Sequence, residues 1–419
     1  MRYLTRSIAA ALSALAIGLL ALQPSGRPAT ADTQVSAWTG AWSAAPQRPS
    51  TGFEPNWAEA GFSGQSVRQT VRVTTGGTTV RIRLSNAYGT SPVTVTAATI
   101  ARAGTGAAVR AGSVRRLAFG RSRSVSIPAR GDVRSDAVAF RTRPLESLTV
   151  TLYFAGTTGP ATFHSQAYAT TYRATGDHTE DATGTVYADR THSWYYLSGV
   201  ETAGGPPRRG AVVAFGDSIT DGFGSSDDAN HRYPDELAAR LTALGREQAV
   251  LNAGIGGNLV LNDSAWYGER SSARFARDVL DQPGVGTVIV LEGINDLGFS
   301  EVDKPTYKPN PQVSADDLIA GYRALIRQAH ARHVRVLGAT LLPMKGSDHY
   351  GRRSEADRER VNDWIRTSGA FDAVADFDRA LADPSDPLAI RAAYDSGDHL
   401  HPNDAGYRAM AQAIDPDRL

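Results

Sequence analysis

Cysteine is absent from all 419 residues. That excludes disulfides, thiol nucleophiles and cysteine-ligated metal sites. It also excludes a lipid-anchored export signal, which needs a cysteine at its cleavage point. Charge of one sign is lacking too. Lys plus Arg number 44 against 43 Asp plus Glu, so no basic surface invites a nucleic-acid partner. Arginine greatly outnumbers lysine, and that bias has no functional reading. Hydrophobic residues make up 41 %, ample for a packed core in a chain longer than one average domain.

Long apolar runs are nearly absent as well. The exception is Ile8 to Leu22, preceded by Arg2 and Arg6 and followed by the small-x-small triplet ATA at 29–31. The run is too short to cross a bilayer comfortably. Residues 1–31 therefore read as a secretory signal peptide cut after Ala31, rather than as a membrane anchor. The expectation is a secreted protein with no stable membrane anchor. Cleavage removes Arg2, Arg6 and Arg27 and no acid, so the formal charge of +1 falls by three, to −2.

Two regions with different periods follow. From 36 to 200 the period is two. VRQTVRVT (67–74) and TVRIRLS (79–85) alternate apolar with polar residues, and Gly76 with Gly77 between them reads as a hairpin. More short alternating runs follow, punctuated by Gly, Pro and Asp. The expectation is an all-β sandwich or jelly roll. AGGPPRRG closes a linker at 201–210. From 211 to 419, continuous apolar strands alternate with helical patterns such as YPDELAARLTALG and SADDLIAGYRALIRQAHARH. That alternation predicts an α/β domain with a parallel sheet covered on both faces, and ligands in such sheets bind beyond the carboxyl ends of the strands.

Three apolar strands end in polar clusters: FGDSITDG, LNAGIGGN (251–258) and LEGINDLG (291–298). A fourth cluster, DSGDHLHPNDAG (395–406), precedes the last helical stretch. Together they hold the parts of a hydroxyl-nucleophile site. Ser218 is the candidate nucleophile, with helix capping as its plain alternative. The motif is not G-x-S-x-G, since Thr220 stands where the second glycine would be, so the nucleophile elbow is not matched. His401 is the candidate base. Asp398, one helical turn away, is its candidate orienter. The Ser218 and Gly257 N–H groups and the Asn295 amide are candidate oxyanion donors. A turn residue is the plain alternative for Asn295, and the oxyanion role is the favoured reading. Asp217 and Asp296 read as supporting residues that fix turns or cap helices. The HLH triplet at 399–401 resembles a metal pair, but no glutamate–histidine helix motif accompanies it and no metal is expected. Trp194, Tyr195 and Tyr196 read as an interdomain packing cluster, with a sugar-stacking platform as the alternative. The Pro-rich loop 299–314 is expected to border the cleft.

GDSITDG, NAGIGGN, GIND and DHLHP fall in the order and approximate spacing of the four blocks of the GDSL, or SGNH, hydrolases. The chain resembles that family from about Ala211 to Ile414, with Ile219 in place of the leucine of the short name. The resemblance implies a flavodoxin-like three-layer domain and a catalytic Ser218, Asp398 and His401. It implies an oxyanion hole from Ser218, Gly257 and Asn295, and no cofactor. RIRLSNAYG (81–89) is similar to the β-domain of a secreted bacterial subgroup, some of whose members resemble carbohydrate esterases. The expected substrate is a small ester or an acylated polysaccharide. A lipid ester is the runner-up, and a non-catalytic carbohydrate-binding protein is the rival from another class.

Overall fold

The computed structural model describes residues 38–205 and 209–419. The leader expected at 1–31 lies outside the described residues. Ser36–Leu419 forms one compact unit.

The N-terminal region is mostly antiparallel β-structure. One sheet has the order Thr39–Ser43, Leu197–Ala203, Gly77–Ser85, Asp132–Arg134, with Val138–Thr142 also pairing to Gly77–Ser85. The other runs Asp189–Thr191, Thr171–Thr175, Gln65–Arg72, Ser147–Phe154, Ala97–Arg102, Arg115–Arg116. Gln65–Arg72 and Gly77–Ser85 therefore lie in different sheets, and the hairpin expected at Gly76–Gly77 is not formed. The glycine pair carries the chain from one sheet to the other. Gln65–Arg72 pairs instead with Ser147–Phe154, and Gly77–Ser85 pairs with Leu197–Ala203. The latter strand continues to Ala203, so the first residues of the expected linker are strand. Val67, Ile82, Leu84, Val150 and Leu152, drawn from both sheets, share one buried core. Trp194, Tyr195 and Tyr196 belong to it: all three are buried, and Tyr195 stacks on Trp57. They pack the core of the N-terminal region itself rather than a cluster between the two regions, and they offer no open stacking face.

The C-terminal region has a parallel five-stranded sheet in the order Val250–Gly254, Ala211–Gly216, Val285–Leu291, Arg335–Ala339, Ala373–Ala375. In chain order that is 2-1-3-4-5, a doubly wound arrangement. All six residues of Ala211–Gly216 are buried, as expected of a central strand with both faces covered. Helices fall where the 3.6-residue period placed them. Tyr233–Ala243 packs on Asp404–Ala413, and Ala315–His330 on Arg352–Thr367. Ser314 caps the 315–330 helix with a capping box, accepting from Asp317 N while Asp317 Oδ2 accepts from Ser314 N at 3.0 Å. No helix of the described residues is long and apolar enough to cross a membrane.

The two regions meet along the sheet edge at Val250–Gly254. An edge strand with open backbone groups invites adventitious pairing, and covering it removes that hazard. Here the cover comes from the N-terminal region. Ser43 Oγ donates to Asn252 O at 2.9 Å, and Val250 N donates to Thr74 Oγ1 at 3.1 Å. Further along, His164 Nε2 lies 2.9 Å from Asp221 Oδ1, and both groups are fully buried. His164 Nδ1 faces the Ala45 carbonyl at 3.0 Å. Both ring nitrogens thus face acceptors. Burial opposes the imidazolium, but Asp221 and the carbonyl outweigh it and raise the His164 pKa. Two regions of unlike sheet type are joined by an ion pair at the base of the site.

Candidate active site

Four loops converge beyond the carboxyl ends of the parallel strands. Each loop carries one of the sequence clusters.

The first follows Ala211–Gly216. Asp217 caps the single helical turn Ser218–Asp221, its Oδ1 accepting from Ile219 N at 3.0 Å. This cap fixes the backbone at Ser218. Ser218 Oγ lies 2.7 Å from His401 Nε2. The fourth loop carries His401, and its Nδ1 lies 2.6 Å from Asp398 Oδ2. A carboxylate only accepts, so Nδ1 carries the proton and Nε2 presents its lone pair to the serine hydroxyl. The pair Asp398–His401 does not lie on a helix, as the spacing suggested. The loop bends back instead: Asp398 Oδ1 accepts from Leu400 N at 3.0 Å and His401 N at 2.8 Å, and His399 takes a positive φ of 62°. Burial works against the Asp398 carboxylate. The His401 ring and the backbone N–H groups outweigh it and hold Asp398 well below the usual carboxylate range. His399 turns away to Asp395, 2.7 Å from its Oδ2, so the two imidazoles of HLH have separate partners. The last helix anchors the loop through Asn403, which caps Ala405 and Gly406 and donates to Asp395 O at 3.0 Å.

The second loop, Ile255–Asn258, contains Gly257 at φ +72°, where a Cβ would stand 2.3 Å from Tyr267 Cδ1. Both the backbone conformation and the space demand glycine. The turn is tied down on either side. Gly256 N donates to Asp221 Oδ2 at 3.1 Å, and Asn258 Oδ1 accepts from Arg274 Nε at 2.8 Å.

The third loop carries Asn295, buried at 3 % exposure. Its Nδ2 donates to Asn258 O at 3.1 Å, which leaves one amide hydrogen uncommitted. Its Oδ1 lies 3.1 Å from His349 Nε2. A carboxamide oxygen only accepts, so His349 is protonated at Nε2 and sets the amide's orientation. Burial, with His401 nearby, pulls His349 down to about 4, so it is neutral at pH 7. His349 stands outside every sequence cluster and was not foreseen; only its tertiary placement gives it a role. Asp296 does not cap its own turn. It reaches across to Val260 N and Leu261 N at 2.8 and 3.1 Å, joining the second and third loops.

Beneath these loops lies a buried group of acids. Burial raises Asp217 and Asp296 to about 7 each. Glu292 is fully buried with no hydrogen-bond partner on either carboxyl oxygen among the described residues. Arg274 is near, but it spends donors on Gly216 O, Ala253 O and Asn258, and its Nη2 stands 3.7 Å from Glu292. Burial therefore wins, and Glu292 is raised well above the usual range. The folded protein holds a proton there that the unfolded chain releases. That contribution to stability is full below the ordinary carboxylate pKa and is lost as pH rises through the raised value. Glu292→Gln should therefore raise Tm by roughly 2–4 °C at pH 8.5 and leave it within about 1 °C at pH 5. A lower Tm at pH 8.5 in thermal unfolding would mean an ionised Glu292 paired with Arg274.

The four loops surround a cleft of about 510 Å³ lined by Ser218, Gly257, Asn295 and His401. Phe299, Lys304 and Tyr307 of the 299–314 loop border it, and Phe299 stacks on Tyr307 at 3.9 Å. The N-terminal region adds Phe53 and Gln166. Phe53 is 47 % exposed and stacks on Tyr267 at 5.5 Å. A hydroxyl bonded to an imidazole that is itself bonded to a carboxylate can lose its proton as it attacks, and nearby amide N–H groups can hold a developing oxyanion.

Solved structures similar to the chain include a lipolytic protein of the G-D-S-L family from Desulfitobacterium hafniense. It is 21 % identical with a TM-score of 0.37, over 49 % of this chain and 97 % of that one. LAE5, an alpha/beta hydrolase enzyme from the metagenome of Lake Arreo, is 21 % identical with a TM-score of 0.38, over 49 % and 93 %. An acetyl xylan esterase from Geobacillus stearothermophilus is 23 % identical with a TM-score of 0.38, over 49 % and 93 %. No curated protein matches the chain. The model of the GDSL-like Lipase/Acylhydrolase family matches residues 214–409, the stretch that contains all four loops. This part of the chain is a GDSL-like lipase/acylhydrolase domain, and the protein is a carboxylic ester hydrolase.

Proposed function

We propose that the protein hydrolyses short-chain esters, acetyl groups foremost, on a carbohydrate. Ser218 Oγ attacks the ester carbonyl carbon while His401 Nε2 takes its proton. Asp398 holds the imidazole tautomer and stabilises the imidazolium. The N–H groups of Ser218 and Gly257 and the Asn295 amide stabilise the oxyanion. His401 then protonates the leaving alcohol. Water, deprotonated by His401, attacks the acyl-enzyme and releases the acid. No cofactor takes part. The observation that carries this reading is the continuous chain Ser218–His401–Asp398, with hydrogen bonds of 2.7 and 2.6 Å at the mouth of the sheet.

The substrate class rests on the cleft. Phe53 and the half-buried Tyr307, backed by the buried Tyr267 and Phe299, set apolar rings beside polar loops, the pairing of surfaces that a sugar ring presents. The same aromatic faces would take an acyl chain, which makes a lipid ester the second reading. The reading of residues 1–31 as an export leader supports a reaction outside the cell. We also take the two antiparallel sheets as the layers of a sandwich, since they share one core, and the C-terminal region as a flavodoxin-like three-layer domain.

Incubation with a fluorophosphonate should add one phosphonyl group to the peptide bearing Ser218, read by mass spectrometry. Hydrolysis of p-nitrophenyl acetate, butyrate and octanoate should be strongest on acetate. Labelling elsewhere would overturn the nucleophile, and a maximum at octanoate would move the substrate to lipids.

A further inference from the structure

We propose that Gln166, from the N-terminal region, recognises a free hydroxyl on the alcohol part of the substrate, next to the scissile ester. This deepens the carbohydrate reading above and rests on it.

Gln166 is 9 % exposed and lines the cleft with Ser218 and Gly257. Its Oε1 lies against Gly256, where a Cβ would stand 1.8 Å from it. Gly256 immediately precedes Gly257, so the carboxamide sits beside the turn that frames the reacting carbonyl. Yet Oε1 has no hydrogen-bond partner among the described residues. An unpaired buried carbonyl is destabilising, and folded proteins carry few of them.

The backbone that carries it is held firmly. Ser165 N donates to Gln47 Oε1 at 2.8 Å, and Ser193 Oγ donates to Ser165 O at 2.7 Å. The His164–Asp221 pair pins the preceding residue to the loop that bears Ser218. Only the side-chain torsions of Gln166 are then left to order on binding, and a small rotation of the carboxamide brings the buried Oε1 to a hydroxyl in the cleft.

The chemistry of the missing partner follows from the group. A carboxamide presents an acceptor at one end and donors at the other. A hydroxyl meets either end, because it both donates and accepts. A carboxylate or phosphate only accepts, and an alkyl chain does neither. Phe53 packs on the same Gly256, 3.5 Å from where its Cβ would be. The site therefore sets an apolar ring beside an unfilled polar group. A sugar with a free hydroxyl adjacent to its acyl group supplies both.

The test uses methyl 2-O-acetyl-xylopyranoside and its 3-deoxy counterpart, with p-nitrophenyl acetate as the catalytic control. With wild-type protein, kcat/KM for the hydroxyl-bearing glycoside should exceed that for the deoxy one by about tenfold or more, the scale of one lost hydrogen bond. Gln166→Leu should bring that ratio close to one. The proposal is overturned if the wild type shows no preference, if it hydrolyses neither glycoside, or if the ratio survives in Gln166→Leu. In the last case Gln166 only shapes the Gly256 turn. Should Gln166→Leu not fold, the wild-type ratio still decides. Loss of Ser218-dependent turnover on p-nitrophenyl acetate would instead condemn the catalytic reading.

Discussion

Replacing Ser218 by alanine is expected to lower kcat on p-nitrophenyl acetate by roughly 10⁴–10⁶-fold, with the fold intact. The reason is local. Ser218 is the hydroxyl bonded to His401 Nε2, and that nitrogen is free to accept because Asp398 binds the other one. Removing the hydroxyl removes the covalent route and leaves only the amide donors to polarise the ester. His401→Ala should cost about as much, since an unassisted serine hydroxyl is a weak nucleophile. The double variant should be no worse than the poorer single one, because the two side chains act as one unit. The fold should survive. Asp217, not Ser218, caps the turn, and the serine side chain contributes one hydrogen bond, worth about 1 kcal/mol. Steady-state kinetics with circular dichroism on the three variants decides this. Additive losses in the double variant would mean that Ser218 and His401 act independently.

Asn295→Ala should lower kcat by roughly 10²–10³-fold with little change in KM. Its amide meets full negative charge only as the carbonyl oxygen becomes an oxyanion, so the loss belongs to the transition state rather than to binding. Two neighbours define how the amide is held: Asn258 O takes one hydrogen, and His349 donates to the oxygen. Asn295→Asp is informative beside it. That side chain has nearly the same shape but offers no N–H, and it places a carboxylate where negative charge develops. It should be at least as damaging as alanine. A loss in KM alone would reassign Asn295 to substrate binding.

Much of this site was legible because the parallel sheet concentrates function at strand ends. Ser218, Gly257 and Asn295 each lie a few residues past the end of an apolar strand, at Gly216, Gly254 and Leu291, so the change from apolar to polar marked the place. Asp398 and His401 were legible as a pair, but for the wrong local reason. Spacing suggested a helical turn, whereas the contact comes from a loop that Asp398 folds around its own carboxylate. His349 and Gln166 could not be read. Neither has a sequence neighbour that marks it, and each matters only through residues 54 and 90 positions away, respectively. Gly76–Gly77 shows the same limit in the fold. A glycine pair between alternating runs signals a reversal, but not whether the second strand returns to the same sheet. That depended on Ser147–Phe154 and Leu197–Ala203, far along the chain.

The meeting of the two regions has a consequence for how such an enzyme can be altered. Residues 211–419 hold Ser218, His401, Asp398 and Asn295, which would suggest a half portable to other fusions. But Phe53 and Gln166 form part of the cleft wall, and Asp221 has its buried partner in His164. Transplanted alone, residues 211–419 would carry Asp221 without its histidine partner and an open sheet edge at Val250–Gly254. Selectivity is the more tractable target. Phe53 and Gln166 stand outside the hydrogen-bonded chain Ser218–His401–Asp398, so libraries at these two positions should retune which ester is accepted and leave that chain intact.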